Sequence, residues 1–415
     1  MKGESHDGRL SLTWPEEGLT RVPYEIYHSQ EIYAREQERI FRGPSWNFVC
    51  LEADIAKPGD FVRSFVGDTP VVAARDAEGG INVFENRCSH RGVQFCLEAA
   101  GNTKMFTCPY HQWSFDLRGQ LRGVPFRKGV GGLGGMPPDF DPNANGLRRL
   151  KITVRNGVVF ASFASELPTF EEYLGETNLA YFDRVFNGKK LRILGKIRQR
   201  VSANWKLVVE NIRDPYHATL LHVFFVTFGL WRADMDFSAR FCPTGGTSIQ
   251  FNSPSKKKGE SAVASETKSM RSDLKLHDPR IVDVVPEFAD GKSGAMHTIW
   301  PSLIVQQTVN SLAVRHAVPR GPGAFELNWT FFGYEDDSPE MVARRLRHVN
   351  LYGPSGLVSI DDSEVLQLVQ KGSRASQETA ALLELGGSGT DDSEGMVNEV
   401  MIRAFYKYYR DVMEL

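Results

Sequence analysis

The sequence predicts an α+β chain: an all-β domain in the N-terminal half, then a larger domain in which an antiparallel sheet is combined with helices. Three observations predict it. From residue 46 to about 163, short β-type runs (FVRSFV, PVVAAR, INVFEN, VVFASF) are broken by Gly, Asp, Asn and Pro, the texture of a compact antiparallel domain. Beyond Pro168, longer β-type runs, LRILGKIRQRV, SLIVQQTV and FELNWTFFGY, are mixed with helical stretches over 205–221, 338–351 and 393–413. Ahead of both, residues 30–41 set Ile32, Tyr33, Glu36 and Ile40 at helical spacing, a short amphipathic helix. The expected plan is therefore a helical segment over 1–45, a β domain over 46–165 and the larger domain over 166–415.

Composition fits that plan. A length of 415 residues suits two or three domains, and 41% hydrophobic with 24% charged residues suits ordinary globular cores. A formal charge of -2 gives no footprint for nucleic acid or an acidic membrane surface. No run approaches the roughly 18 apolar residues that span a bilayer. The start, MKGESHDGRL, lacks the apolar centre of a secretion signal, so a reducing cytoplasm is expected. Five cysteines, an odd number, do not form a disulfide framework in that setting and leave thiols free for metal. Residues 243–275, rich in Ser, Gly, Lys and Thr, read as a mobile surface loop, either a lid or a solvated insertion.

Two constellations carry chemistry. Cys88-Ser-His90 is followed, after 17 residues, by Cys108-Pro-Tyr-His111. Each Cys/His pair must sit on a tight turn if the four are to converge. Two thiolates and two imidazoles suit either tetrahedral zinc or a 2Fe–2S cluster whose two histidines hold one iron. Zinc modules commonly keep the two cysteines together. A mixed pair on each loop is the Rieske arrangement, and Arg91, Gly92, Tyr110, Gln112 and Trp113 extend the two loops accordingly.

The second constellation is the stretch from Asn204 to His222. His217 and His222 are five apart, about 140° around a regular helix, so an unbroken helix would not aim both at one point. Pro215 removes a backbone donor and disturbs the turn before it, which lets the two imidazoles converge. Two histidines and one carboxylate form the facial triad of non-haem Fe(II) oxygenases. The best carboxylate is in the pair Asp361-Asp362, after a Gly/Pro-rich turn at the start of a helical stretch; spacing alone does not choose between them. The spacing H-x-x-x-x-H with no internal Glu argues against a zinc protease. A zinc-binding protein is the competing non-oxygenase reading.

With these residues in place, the chain resembles the large (alpha) subunits of Rieske non-haem iron ring-hydroxylating oxygenases. The resemblance spans nearly the whole sequence: C-x-H…C-x-x-H, NWK…EN…D-x-YH…H and GP-x-G…DD. It implies that Cys88, His90, Cys108 and His111 hold the 2Fe–2S cluster in a Rieske domain. It also implies that His217, His222 and Asp362 hold one mononuclear Fe(II) in a catalytic domain. Asp214 matches the acidic residue that links the two metal sites across a subunit boundary in a trimeric alpha ring. Three residues before His217, it can reach that imidazole and fix its tautomer. Further partners implied are a small beta subunit (α3β3), a ferredoxin and a ferredoxin reductase.

The stretches YFDRVFNGKKLRILG, TFGLWRAD, GVPFRKGV and GGMPPDF resemble the salicylate 5-hydroxylase branch of the family, and the anthranilate and terephthalate dioxygenase branches look similar over the same span. The implied reaction is hydroxylation of an ortho-substituted benzoate with O2: salicylate to gentisate, or alternatively anthranilate to catechol. An aromatic carboxylate needs a cation, and Arg315 and Arg403 are candidates because each lies in an apolar or aromatic run; Asn211 is a third substrate candidate. Gly129-Val-Gly131-Gly-Leu-Gly134 matches a dinucleotide fingerprint formally, but Pro137-Pro138 follows where a helix should start. Electrons must therefore come from separate proteins.

Overall fold

The structure, a computed structural model, describes residues 12–253, 267, 268, 270, 271, 273–375 and 379–415. It divides into two units, Phe41–Leu167, and Met1–Ile40 with Pro168–Leu415. Among the described residues no helix is long and apolar enough to cross a membrane.

The smaller unit holds ten strands: β1 Asn47–Leu51, β2 Asp60–Val66, β3 Thr69–Arg75, β4 Ile81–Glu85, β5 Ala100–Asn102, β6 Phe106–Thr107, β7 Ser114–Phe115, β8 Leu121–Gly123, β9 Lys151–Arg155 and β10 Val158–Ser162. They form three sheets of order β9-β10-β1, β4-β3-β2-β5 and β6-β7-β8, antiparallel throughout. Their core is a group of phenylalanine rings. Phe106 meets Phe61, Phe84 and Phe95 at centroid distances of 5.2, 5.8 and 5.3 Å. Cys88 and Cys108 are buried in the same core. The rings therefore make a firm, dry base for the two loops that carry these thiols.

In the larger unit α1 (Gln30–Glu36) is followed, beyond the smaller unit, by α2 (Phe170–Val185), β11 (Leu191–Val201), α3 (Trp205–Ile212), α4 (Pro215–Ala218), α5 (Val223–Thr227), β12 (Asp236–Phe241) and β13 (Ser248–Ser253). Then come β14 (Gly294–Ile299), β15 (Leu303–Thr308), β16 (Ser311–Pro319), β17 (Phe325–Tyr334), α6 (Pro339–Tyr352), α7 (Ser359–Arg374), β18 (Ser393–Glu394) and α8 (Val400–Met413). The strands make one eight-stranded antiparallel sheet of order β11-β17-β16-β15-β14-β13-β12-β18.

The leading residues, set apart up to residue 45 in the sequence, instead cluster with the larger unit as far as Ile40. The reason is a buried polar junction. Glu36, with no exposed surface, accepts hydrogen bonds from Trp205 Nε1 (2.8 Å), Lys206 Nζ (2.6 Å) and Tyr409 Oη (2.7 Å). Tyr27 Oη donates to Glu210 Oε1 at 2.9 Å. Burial pushes the Lys206 ammonium below its usual range, and Glu36 opposes the shift. A charge this deep persists only when paired.

Three sequence expectations change. The stretch 205–221 is not one helix: α3 ends at Ile212 and α4 starts afresh at Pro215, with Asp214 as its N-cap. The helix expected from 393 begins at Val400, because Ser393–Glu394 joins the sheet beside β12. The loop expected over 243–275 contains β13, a strand paired on both sides. Ser248, Gln250 and Asn252 are polar yet buried, since that face of the sheet is covered. Residues 254–266, where a lid was expected, lie outside the described residues.

Candidate active site

Two loops in the smaller unit share one hydrogen-bond pattern. In the first, Cys88 N donates to Val93 O and Gly92 N to Cys88 O; in the second, Cys108 N donates to Trp113 O and Gln112 N to Cys108 O. The fourth residue after each cysteine has a left-handed backbone, Gly92 at φ 76° and Gln112 at φ 58°. Glycine takes that conformation without cost; a glutamine there is under local strain. The loops bring the His90 and His111 rings to a centroid distance of 4.6 Å, and His90 stacks on Trp113 at 4.5 Å, 5° from parallel.

Burial raises the Cys88 thiol, while the backbone N–H groups of His90 and Arg91 favour its thiolate and the neighbouring Cys108 opposes it. Burial, the nearby His111 and Arg91 lower His90 from its usual range. Two buried sulfurs side by side and two imidazoles side by side are the donor set for two irons with different ligands. The remaining cysteines, Cys50, Cys96 and Cys242, are buried and form no disulfide.

In the larger unit His217, His222 and Asp362 place one ligand atom each within 4.8 Å of the others, the one such group of three among the described residues. His217 lies on α4, His222 caps α5, and Asp361 and Asp362 occupy the first turn of α7. Both Nε2 atoms face one oxygen, Asp362 Oδ1, at 3.4 Å from His217 and 3.3 Å from His222. Ligands about 2.1 Å from a first-row divalent ion and at right angles stand about 3 Å apart, so the set fits such an ion.

The far sides of the rings are also furnished. His217 Nδ1 is 3.5 Å from Asp214 Oδ2, and His222 Nδ1 is 3.5 Å from Asp361 Oδ2. The two acids of the Asp361-Asp362 pair are thus separated by geometry: Asp362 faces both Nε2 atoms, and Asp361 stands behind one ring. Asp214 Oδ1 accepts from Tyr216 N and His217 N, so this side chain both caps α4 and backs His217. Asn211 Nδ2 donates to Asp362 Oδ1 at 3.1 Å and sits 3.2 Å from His217 Nε2, which makes it part of the triad's surroundings.

Burial opposes charge on His217, but Asp214 and Asp362 outweigh it and push the imidazole up to about 10. Burial likewise opposes charge on Asp362, and the two imidazoles hold its carboxyl well below the usual range. The site thus stabilises positive charge at the point the three ligand atoms share.

The triad lines a cavity with Ala218, Phe225, Trp231, Met296, Tyr352 and Val358 as apolar wall, and Gln250, Gln306, Thr308 and Arg315 as polar wall. Arg315 is buried; its Nε donates to Gln306 Oε1 at 2.7 Å and its guanidinium lies 4.1 Å from the Trp329 ring centroid. Burial pushes Arg315 down to about 9, with Asp362 opposing the shift, so it is a cation at neutral pH.

Arg403 does not share this cavity, which corrects its assignment as a substrate contact. It donates to the backbone oxygens of Gly389, Leu383 and Leu385, and so braces the chain ahead of α8. Sequence reasoning missed Gln250, Gln306, Trp231 and Tyr352. A usable signal existed for Gln306: two glutamines inside the apolar run LIVQQTV are out of place unless that face meets a polar site.

The chain is similar to known proteins over most of its length. The model "Rieske [2Fe-2S] domain" matches residues 45–134, and "Ring hydroxylating alpha subunit (catalytic domain)" matches residues 188–415. Salicylate 5-hydroxylase, large oxygenase component, from Ralstonia sp. is 48% identical over 405 residues, covering 96% of each chain. The anthranilate 1,2-dioxygenase large subunit of Burkholderia cepacia is 41% identical over 413 residues, covering 99% of this chain and 97% of that one. In fold, naphthalene 1,2-dioxygenase from Rhodococcus sp. bound to indole superposes with a TM-score of 0.78 at 23% identity, over 96% of this chain and 97% of the other.

Proposed function

Because the chain belongs to the ring-hydroxylating oxygenase alpha subunits that carry a Rieske 2Fe–2S domain, we propose that its cavity binds an ortho-substituted benzoate through Arg315 and that the favoured reaction is 5-hydroxylation of salicylate to gentisate. The protein is a Rieske-type oxygenase with a 2Fe–2S cluster in its N-terminal domain and a mononuclear iron in its catalytic domain. When bound, these groups supply single-electron transfer and activation of dioxygen. One oxygen atom enters the ring and the other leaves as water, with two electrons and two protons supplied.

On this reading Cys88, His90, Cys108 and His111 hold the cluster, and His217, His222 and Asp362 hold the iron. Asp214 and Asp361 stand 3.5 Å behind the two histidines, placed to draw the Nδ1 protons toward them and leave each Nε2 free to ligate. The chain works as a terminal oxygenase with a ferredoxin and a reductase. The reading adds a small beta subunit and an α3β3 ring in which Asp214 stands opposite the His111 of a neighbouring subunit.

One observation carries the substrate reading. Arg315 lines the cavity beside the triad, buried, and among the described residues no carboxylate lies within ion-pair distance of it. A buried guanidinium without an ion-pair partner is costly, and a planar carboxylate matches its donors. Phe225, Trp231, Tyr352 and Val358 can enclose the ring.

The test is Arg315→Met in the holoenzyme. Losing one partner of a buried charge pair costs about 2–5 kcal/mol, a loss of some 30-fold or more in affinity for salicylate and anthranilate. Salicylamide, which is neutral, should bind as before. Equal losses for the carboxylates and the amide would sink the assignment. The 41% identical anthranilate relative supports a second reading, anthranilate to catechol, which product analysis separates from the first.

A further inference from the structure

We propose that Gln250 is a specificity-determining residue of this cavity: its Oε1 accepts a hydrogen bond from a hydroxyl or amino group on the ring of the aromatic acid. The inference rests on the proposed binding of an aromatic carboxylate and names which ring substituents that site prefers.

The sheet places Gln250 where it can do this. In the antiparallel ladder Gln250 stands opposite Met296, Met296 opposite Gln306, and Gln306 opposite Ala313, two residues before Arg315. Directly paired residues point to the same face, and so does every second residue of a strand. Gln250, Met296, Gln306 and Arg315 therefore share one face of β13, β14, β15 and β16, the face that lines the cavity.

Hydrogen bonding fixes which atom of the amide is free. Gln250 Nε2 donates to the Ile212 carbonyl at the end of α3. A carbonyl can only accept, so the amide cannot be turned over without losing that bond. Oε1 is consequently the remaining atom, and it is buried without a hydrogen-bond partner.

Apart from the Nδ1 atoms of His217 and His222, which lie 3.5 Å from Asp214 and Asp361, two other buried atoms of the cavity residues lack partners, Trp231 Nε1 and Tyr352 Oη. Both can donate, so the oxygen of a bound carboxylate could satisfy either. Gln250 Oε1 can only accept, and it would repel a carboxylate. The cavity thus has a cationic place for the carboxylate at Arg315 and a separate acceptor for a donor elsewhere on the ring. An ortho amino group keeps one N–H free even when the other is bound to its own carboxylate. An ortho hydroxyl can turn away from its carboxylate once Arg315 has engaged it.

The experiment is anaerobic binding of salicylate, anthranilate and benzoate to the holoenzyme, to Gln250→Leu and to the unbranched Gln250→Met. Benzoate carries the carboxylate but no ring donor. In the unaltered protein the two donor-bearing acids should bind about tenfold or more tighter than benzoate. Either variant should bring that ratio close to one with benzoate affinity little changed. Equal weakening of all three acids would make Gln250 only a brace for Ile212 and overturn the proposal; so would an unchanged ratio. Arg315→Met, run alongside, should weaken all three acids together and leave the ratio as it was. If instead it weakens none, the carboxylate reading fails, while the Gln250 ratio still decides this inference.

Discussion

In the smaller unit the four candidate ligands come from two neighbouring loops with the same hydrogen bonds, each anchored on a phenylalanine core. In the larger unit the three candidate ligands come from two short helices and a third, α7, far along the chain, and they meet only because α3 stops and the chain turns at Asp214-Pro215. The first set depends on local backbone geometry. The second depends on how distant elements pack, and it leaves one side of the triad facing a cavity. An electron-transfer centre needs rigid enclosure, whereas a centre that meets a substrate needs room beside it. The difference in construction follows the difference in task.

The largest expected effect separates the two sites. Asp362→Ala should abolish hydroxylation and lose the mononuclear iron while the visible absorption of the 2Fe–2S cluster stays intact. Cys108→Ser should do the reverse, losing the cluster absorption while the larger unit keeps its iron. Metal analysis with absorption spectra checks both. Loss of both metals in either variant would mean that the sites are not independently built.

A smaller effect probes the scaffold under the triad. Glu36→Gln removes one partner of a fully buried ion pair and should lower the unfolding stability of the larger unit by about 3–5 kcal/mol. Cluster absorption should be unaffected, because Glu36 belongs to the larger unit. Denaturant unfolding followed by tryptophan fluorescence measures it; a change below about 1 kcal/mol would show that Lys206 is satisfied without Glu36.

The same contrast explains what could be read in the sequence. Cys88-x-His90 and Cys108-x-x-His111 are legible because their spacing is the geometry: each pair is one loop. His217 and His222 are legible as a pair, but the break that aims them rests on Asp214 capping α4, which spacing only hints at. Asp361 and Asp362 are adjacent in sequence and differ only in which side of a histidine they face. Arg315 and Arg403 look alike in sequence, each in an apolar run. One enters the cavity and the other is occupied by three backbone oxygens that no pattern reveals. Gln250 was hidden for a different reason. A strand with Ser248, Gln250 and Asn252 looks like a solvated loop unless the face it presents is known to be covered.

The most direct test of the account is a single turnover. The protein is reduced chemically, given oxygen with salicylate or with anthranilate, and the products are identified by mass spectrometry. The account predicts gentisate from salicylate, with one atom of labelled dioxygen in the ring. Catechol from anthranilate without gentisate from salicylate would replace 5-hydroxylation by dioxygenation. Reoxidation of the cluster with neither acid hydroxylated would contradict the claim that this cavity serves an ortho-substituted benzoate.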